Sequence, residues 1–347
     1  MPRLVPVVAT PGWTFVDALR RAWDAGDAVL PVDPRLPARA ARRVVDAMRP
    51  DDPVEPGDAL VVVTSGTTGE PKGAVLTHDA VRASARMTSE RLAVDPARDR
   101  WLSCLPLAHV GGLSVVTRAL LTGTSLTFDP EERATLVSLV GTQLGRIDVR
   151  PFRAVLLGGS SPPADRPENC IATYGMTETA SGVVYDGRPL DGVEVRVADG
   201  GDELLVRSPT LLRTYRDGTD PRDGAGWFPT GDAGQVDPDG TVHVTGRIAE
   251  VIVTGGEKVW PEPVERVLAS VAGVGEVAVA GRVDAEWGER VVAFVVPAGR
   301  PPTLDALRDA VKAELPAWCA PKDLVLVDAL PRTALGKVRR RDLRSTG

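Results

Sequence analysis

The sequence predicts an α/β fold with a larger N-terminal region, a β-rich segment and a small α+β C-terminal domain. In the first half, short buried apolar runs alternate with amphipathic helices, as they do around a parallel sheet. From about Gly187 the pattern changes to short strands between Gly, Asp and Pro turns, which is typical of antiparallel sheet. The last third has short strands separated by helices. We therefore expect one domain over residues 1–248 and a second over residues 249–347.

Each element is predicted from its apolar period and from the turn residues beside it. Amphipathic spacing predicts helices over residues 15–25, 37–48, 77–92, 113–121, 130–144, 261–269 and 304–314. Short apolar or β-branched runs predict strands over residues 59–64, 101–105, 154–157, 193–197, 203–207, 241–245, 277–280, 291–296 and 323–327. A loop over residues 65–73 follows the first of these strands, and it is the most informative stretch of the chain.

Composition excludes several classes of protein. The chain has 347 residues and a formal net charge of −6, so it lacks the basic footprint of nucleic-acid binding. No apolar run approaches the roughly 18–20 residues of a membrane span, and the N-terminus does not resemble a signal peptide. Cys104, Cys170 and Cys319 are far apart in sequence, so their spacing suggests neither a disulfide framework nor a metal site. We expect them to be small buried side chains of a protein in a reducing compartment. We expect a cytoplasmic protein that binds small molecules, and the sequence leaves open whether it forms a homo-oligomer.

The loop after the first predicted strand has the composition of a polyphosphate-binding loop. Its early glycines free the backbone amides to turn toward an anion, its hydroxyls add donors, and Lys72 adds a positive charge. Pro71 and Gly73 flank this lysine where a Walker A loop has Gly and Ser or Thr, so a metal must find its ligands elsewhere. The residues expected to hold phosphate are Thr64, Ser65, Gly66, Thr67, Thr68, Gly69 and Lys72.

This loop resembles the phosphate loop of the adenylate-forming superfamily, which includes acyl- and aryl-CoA ligases. Further segments resemble the motifs of that family in the family's order: residues 105–109, 157–160, 174–179, 227–232, 246–247, 255–261 and 331–337. The resemblance implies the adenylate-forming ligase fold, with a truncated large N-terminal domain and a small mobile C-terminal domain.

For the nucleotide, the resemblance implies a set of contacts beyond the loop. Tyr174 would stack on adenine, Thr177 would contact the α-phosphate, and Glu178 would hold Mg²⁺. Asp232 and Arg247 would bind the ribose hydroxyls. The nucleotide contacts implied in this way are Gly158, Gly159, Ser160, Tyr174, Gly175, Thr177, Asp232 and Arg247.

For the other substrates, the resemblance implies that His109 lines the acyl pocket and that Lys337 is the lysine of the adenylation step. The domain hinge falls at Ala249, where the family mostly has Asp or Lys, so a role for a hinge side chain is not expected here. The implied contacts of coenzyme A are Gly255, Gly256, Lys258 and Trp260.

The implied reaction has two steps and uses ATP, Mg²⁺ and coenzyme A. A carboxylate attacks the α-phosphorus of ATP to give acyl-AMP and pyrophosphate, and the coenzyme A thiol then displaces AMP. Carboxylate and triphosphate repel each other, so the chemistry needs positioned positive charge. Lys72, Lys337 and an Mg²⁺ ion on Glu178 would supply it, with Thr177 at the α-phosphate.

The short chain resembles one group within the superfamily, the actinobacterial-type o-succinylbenzoate–CoA ligases of menaquinone biosynthesis. The substrate of that group carries two carboxylates, and the one that is not activated needs a cation in a largely apolar pocket. We expect Arg118 to supply this cation because a guanidinium grips a carboxylate bidentately, with Ser181 as an additional donor. The alternative position for Arg118 is the solvent face of its helix.

Other functions remain open at the level of the sequence. The chain could be another small aryl- or acyl-CoA ligase, or an enzyme that loads the acyl group onto a carrier-protein thiol. A non-catalytic homologue is the alternative from a different class. The presence of Lys72, Glu178, Asp232 and Lys337 together argues against it.

Overall fold

Strand and helix alternate from the start of the chain in the computed structural model, which describes residues 1–65, 71–159, 165–332 and 338–344. The chain divides into two compact units. The first contains residues 1–195, 205–228 and 237–242, and the second contains residues 196–204, 229–236 and 243–347. The domain boundary expected beside residue 248 stays a prediction.

The seven α-helices are α1 (Trp13–Asp24), α2 (Ala38–Ala47), α3 (His78–Arg91), α4 (Val110–Thr122), α5 (Pro261–Leu268), α6 (Leu304–Glu314) and α7 (Arg340–Arg344), counted over the described ranges. In the same ranges the strands are β1 (Leu4–Val8), β2 (Ala28–Val32), β3 (Asp58–Ser65), β4 (Pro71–Thr77), β5 (Arg100–Leu102), β6 (Ser125–Thr127), β7 (Leu136–Val140), β8 (Ala154–Gly158), β9 (Cys170–Met176), β10 (Ser181–Tyr185), β11 (Arg188–Pro189), β12 (Glu194–Val197), β13 (Glu203–Arg207), β14 (Thr214–Tyr215), β15 (Phe228–Val236), β16 (Val242–Arg247), β17 (Ile252–Thr254), β18 (Glu257–Val259), β19 (Val274–Asp284), β20 (Gly288–Pro297) and β21 (Asp323–Leu326).

The first sheet has the order β1-β2-β3-β4-β14. Strands β1, β2 and β3 are parallel, whereas β4 runs antiparallel to β3 and β14 runs antiparallel to β4. The loop predicted over residues 65–73 is therefore wrong at its end, because β4 begins at Pro71. The apolar residues after Gly73 bury against β3, and Lys72 is drawn into the strand opposite Thr64.

The second sheet has the order β11-β10-β9-β8-β7-β5-β6 and is parallel from β6 to β9. The helix predicted over residues 130–144 is wrong, because residues 136–140 form β7. This apolar run lies between β5 and β8, where its side chains pack into the core with those of Val155 and Leu157. A short run buried in this way has no period that separates strand from helix.

The β-rich and C-terminal predictions are confirmed in outline. The third sheet has the order β12-β13-β15-β16, and the fourth has the order β18-β17-β20-β19 with β21 beside β20. Helices α5 and α6 contribute Val264, Leu268 and Leu307 to the core of the fourth sheet. In the described ranges, no helix is both long and apolar enough to cross a membrane.

The cysteines differ from expectation at one position. Cys170 and Cys319 are buried, as predicted, but Cys104 is exposed. Desolvation by neighbouring atoms raises the pKa of the Cys104 thiol all the same. A raised pKa keeps this thiol protonated and poorly nucleophilic.

An ion pair with a buried carboxylate ties β3 to the segment that leads into β14. Asp58 is only 1% exposed, and its two oxygens accept from Nε and Nη2 of Arg213, each at 2.9 Å. The carboxylate also accepts from the backbone amide of Glu55 at 3.0 Å. Since β14 lies at the edge of the first sheet, this pair fixes the chain at the point where it joins that edge.

Removal of Arg213 should destabilise the fold, because it leaves the Asp58 carboxylate buried without its partner. We expect Arg213→Ala to lower the free energy of unfolding by about 3 kcal/mol. The exposed pair of Arg82 with Asp79 provides a control. Arg82→Ala should change the free energy of unfolding by less than about 1 kcal/mol. Urea denaturation measures both. Equal, small losses would mean that water reaches Asp58 once the guanidinium is gone.

Candidate functional site

The two ends of the predicted phosphate loop face each other across an antiparallel strand pair. Strand β3 ends at Ser65 and β4 begins at Pro71, with Thr64 paired to Lys72. This arrangement places the lysine beside the strand that enters the loop. Packing around Gly73 requires glycine, because a Cβ there would collide with Met48 and Val61. The loop residues Gly66, Thr67, Thr68 and Gly69 lie outside the described residues.

The residues expected to meet the adenine end two neighbouring strands. Gly158 and Gly159 come at the end of β8, and Tyr174 and Gly175 come near the end of β9, which is parallel to β8. The carboxyl ends of parallel strands share one edge of a sheet, which is where ligands bind in open α/β sheets. Gly159 has a φ of 83°, which favours glycine. Ser160 lies outside the described residues.

Glu178 is presented by a tight turn after β9. Residues 177–179 form a 3-10 turn, followed by Ala180 in the left-handed region with a φ of 57°. The Thr179 hydroxyl accepts from the Met176 amide at 2.9 Å and donates to the Ser181 carbonyl at 2.7 Å, which holds this strained turn. Thr177 and Glu178 are thereby carried at the edge where β9 ends.

The carboxylate of Glu178 is a suitable ligand for Mg²⁺. Its Oε1 accepts from the hydroxyl of Tyr215 at 3.0 Å. The described residues contain no group of three or more His, Cys, Asp or Glu that could form a complete metal cage. A single carboxylate fits Mg²⁺ well, because this ion keeps several waters and takes its other ligands from substrate phosphates.

Arg118 lies inside the protein, and not on the solvent face of α4. It is 1% exposed, and its Nη2 donates to Oγ of Ser181 at 3.3 Å. Neither its Nε nor its Nη1 has a hydrogen-bond partner among the described residues. The guanidinium carbon lies 4.7 Å from the ring centre of Trp101, at cation–π distance. Burial lowers the pKa of this guanidinium, so an anion placed beside it would be strongly stabilised.

The hydroxyl of Ser181 extends this polar cluster toward α4. It donates to Oγ of Ser114 at 3.3 Å, and Ser114 donates in turn to the Gly111 carbonyl at 3.3 Å. Strand β10 carries Ser181 past β9 so closely that a Cβ at Gly175 would collide with the Ser181 carbonyl. The expected acid contacts Arg118 and Ser181 are therefore brought together, beside the strand that carries Tyr174.

His109 lies just before α4, next to an ion pair that the sequence motifs do not include. Nε and Nη2 of Arg35 donate to the two oxygens of Asp33 at 2.9 and 2.6 Å. Nε2 of His109 lies 3.6 Å from Oδ2 of Asp33. Burial lowers the pKa of His109, against the opposing effect of the Asp33 charge. The imidazole is thus held neutral, which suits the lining of an acyl pocket.

The two residues expected to bind ribose lie together in the second unit. Nε of Arg247 lies 2.9 Å from Oδ1 of Asp232, and Nη1 of Arg247 donates to the Thr230 carbonyl at 3.0 Å. Asp232 is buried, and its backbone amide donates to the Thr230 hydroxyl at 3.1 Å. The aspartate is therefore oriented by both its side chain and its backbone.

The residues expected to meet coenzyme A form a tight turn between β17 and β18. Gly255 and Gly256 have φ values of 59° and 86°, in the left-handed region that favours glycine. Lys258 is exposed and pairs with Asp202 at 2.5 Å, and Trp260 precedes α5. The predicted hinge residue Ala249 is the middle residue of an exposed 3-10 turn over Ile248–Glu250.

Lys337 lies outside the described residues, but the chain just after it is firmly held. Arg340 is 7% exposed and donates to Glu265 from Nε and Nη2 at 3.1 and 2.7 Å, and it also pairs with Glu250. Burial by itself would lower the pKa of Arg340, but the two carboxylates outweigh it and raise the pKa. The segment that follows Lys337 is thereby bound to the turn that contains Ala249.

Several residues near the site were not predicted from the sequence. They are Asp33, Arg35, Trp101, Ser114 and Tyr215. One available signal was the sequence Asp33-Pro34-Arg35, in which two opposite charges flank a proline directly after an apolar run. Tyr215 stands in a segment without a recognised motif, although it is one of only three tyrosines in the chain. Their contacts join segments far apart in sequence, so local patterns do not reveal them.

Comparison with known proteins gives a consistent result. Residues 35–142 match the AMP-binding enzyme family, and residues 263–337 match the AMP-binding enzyme C-terminal domain. A probable 2-succinylbenzoate–CoA ligase of Mycobacterium tuberculosis is 38% identical over 350 residues, which span 89% of this chain and 90% of the relative. The indoleacetate–CoA ligase of Aromatoleum aromaticum is 35% identical over 389 residues, which span 96% of this chain and 72% of the relative.

A solved structure is similar over nearly the whole chain. The o-succinylbenzoate CoA synthetase of Bacillus subtilis, in complex with its acyl-adenylate intermediate, superposes with a TM-score of 0.79 at 27% identity. The match covers 99% of this chain and 83% of that protein. The predicted adenylate-forming fold is therefore confirmed, and the chain belongs to the AMP-binding ligase superfamily.

Proposed function

We propose that this protein is an AMP-forming acid–CoA ligase that converts o-succinylbenzoate to o-succinylbenzoyl-CoA. The carboxylate first reacts with ATP to give the acyl-adenylate and pyrophosphate, and the thiol of coenzyme A then displaces AMP. The similarity to curated 2-succinylbenzoate–CoA ligases supports this assignment. The resulting thioester would serve menaquinone biosynthesis.

The observation that carries the choice of acid is the buried guanidinium of Arg118. Its Nε and Nη1 have no hydrogen-bond partner in the described part of the chain. A buried cation without an anion is unfavourable, and a carboxylate could accept bidentately from Nη2 together with either Nε or Nη1. A dicarboxylic acid supplies this carboxylate while its other carboxylate reacts. The neighbouring Ser181 hydroxyl gives a further polar contact.

The reacting end of the acid needs positive charge from the phosphate side of the site. Lys72 and Lys337 are proposed to offset the charge on the triphosphate and on the attacking carboxylate. Glu178 is proposed to hold Mg²⁺, which when bound neutralises phosphate charge. Thr177, on the same turn, is proposed to hold the α-phosphate, while Asp232 and Arg247 orient the ribose.

A ligase for another aryl or acyl acid is the second candidate. The similarity to an indoleacetate–CoA ligase favours it over a carrier-protein loader or a non-catalytic homologue. A monocarboxylic acid, however, would leave Arg118 buried without an anion. A screen for ATP- and coenzyme A-dependent AMP release across carboxylic acids separates the two candidates. Preference for a monocarboxylic acid over o-succinylbenzoate would contradict the proposal.

Loss of the Arg118 guanidinium should affect the acid and not the nucleotide. We expect Arg118→Ala to raise the KM for o-succinylbenzoate roughly 30-fold or more, because a buried charge pair loses one partner. The KM for ATP should change little. Arg118→Lys should recover only part of the loss, since an ammonium lacks the planar fork. Steady-state kinetics with each substrate varied in turn measures these effects.

A surface arginine on the neighbouring helix controls for the loss of one positive charge. Arg86 pairs with Glu90 at 3.1 Å on α3 and is largely exposed. Arg86→Ala should leave both KM values unchanged. An unchanged KM for the acid in Arg118→Ala would rule out the contact and weaken the case for a dicarboxylic substrate.

Lys337 should matter for the first step far more than for the second. We expect Lys337→Ala to lower the rate of adenylation about 10²–10³-fold, the scale of removing one positioned donor. Thioester formation from acyl-AMP supplied to the enzyme should be nearly normal. Pyrophosphate release and single-turnover thioester formation measure the two steps separately. Equal losses in both steps would show that this lysine does not act in the adenylation step alone.

A further inference from the structure

Tyr215 contacts both of the charged groups that the proposed reaction needs on the phosphate side. Its hydroxyl donates to Oε1 of Glu178 at 3.0 Å. Nζ of Lys72 lies 5.1 Å from the centre of its ring, within the range of a cation–π contact. One aromatic side chain, outside the motifs recognised in the sequence, therefore joins the strand that leaves the phosphate loop to the turn that carries the proposed metal ligand.

The backbone around Tyr215 is bonded to the same two elements. In the first sheet, Tyr215 of β14 pairs with Ala74 of β4, and the Arg216 amide donates to the Gly73 carbonyl at 2.7 Å. The Leu212 amide donates to the carbonyl of Glu178 at 2.7 Å. The segment 212–216 is thus held to β4 on one side and to the Glu178 turn on the other. These bonds fix the backbone from which the Tyr215 ring extends.

The two contacts leave Glu178 and Lys72 able to act. A hydroxyl that donates to one oxygen restricts the rotation of the Glu178 carboxylate without neutralising it, because the tyrosine stays uncharged. An ammonium on a ring face likewise keeps its charge and its N–H donors for phosphate. A carboxylate or guanidinium in the place of Tyr215 would cancel or repel one of the two groups.

We propose that Tyr215 is a positioning residue that orients Glu178 for Mg²⁺ and Lys72 for the phosphates of ATP. It couples metal binding to nucleotide binding through one side chain. The inference rests on the proposed ATP-dependent activity but not on the identity of the acid.

Two substitutions separate the hydroxyl from the ring. Tyr215→Phe removes the bond to Glu178 and keeps the ring under Lys72, so the Mg²⁺ concentration for half-maximal pyrophosphate release should rise about fivefold, the scale of one net hydrogen bond. The KM for ATP at saturating Mg²⁺ should stay within about twofold. Tyr215→Leu removes both contacts and should raise this KM as well.

A double-mutant cycle tests whether the hydroxyl acts through Glu178. Glu178→Gln should raise the Mg²⁺ requirement, and Tyr215→Phe added to it should raise it no further, because the two residues act in one contact. Binding of α,β-methylene-ATP by titration calorimetry at stepped Mg²⁺ concentrations gives the same comparison without turnover. Thr214→Val is the matched control, since it removes a hydroxyl bond of the same strand, to the Thr219 carbonyl at 2.8 Å.

The outcomes separate this inference from the proposed function. An unchanged Mg²⁺ requirement in Tyr215→Phe, additive effects with Glu178→Gln, or an equal shift in Thr214→Val would overturn the positioning role. Binding of the analogue that does not depend on Mg²⁺ in the unsubstituted protein would overturn it too. Absence of turnover with o-succinylbenzoate, alongside Mg²⁺-dependent binding that Tyr215→Phe weakens, would refute the acid and support this inference.

Discussion

A guanidinium that is buried without an anion among the described residues constrains how α4 packs on the second sheet, and it is the contact that we propose for the acid. Trp101 lies under the guanidinium of Arg118, and Ser181 accepts one of its hydrogen bonds. These partners come from β5 and β10, while the arginine itself comes from α4. The helix and the second sheet must therefore pack in one register before the charge is stabilised at all. In the function that we propose, a carboxylate that enters here is stabilised electrostatically without reorganisation of the protein.

The residues that we propose for phosphate and Mg²⁺ are positioned in a different way. There the charged groups are partly exposed and are held by short stretches of backbone hydrogen bonding. Strand β14 has only two residues, yet it pairs with β4 and brings Tyr215 to Glu178 and Lys72. The pair of the buried Asp58 carboxylate with Arg213 anchors the chain just before this strand. A small amount of secondary structure thus controls the distance between the lysine that we propose for the phosphates and the carboxylate that we propose for Mg²⁺.

In the C-terminal part of the chain, a buried charge also holds separate elements in place. Arg340 joins two carboxylates, one on the turn that contains Ala249 and one on α5. Full pairing is what makes this arginine tolerable in the interior, in contrast to Arg118, whose remaining donors are directed to no protein group in the described ranges. The fully paired arginine serves the fold, whereas the unpaired donors of Arg118 are the reason that we propose it as a ligand contact. The difference can be read only from the partners, since both arginines are almost completely buried.

The sequence by itself determined the α/β class of the fold, and it predicted the local chemistry: a phosphate loop with Lys72, a turn with Glu178 and a ribose aspartate at Asp232. These are runs of a few residues whose order carries the information, so one chain was enough to recognise them. The spacing of apolar residues could not distinguish strand from helix at residues 136–140. A strand that is buried on both faces lacks the alternation of apolar and polar residues that marks a half-exposed strand. Nor could this spacing show that β4 draws Lys72 out of its loop. Only the tertiary structure decided which distant residues meet, such as Asp33 with His109 and Tyr215 with Glu178. Those contacts depend on strand order and register, which arise from the packing of the whole core and not from any local pattern.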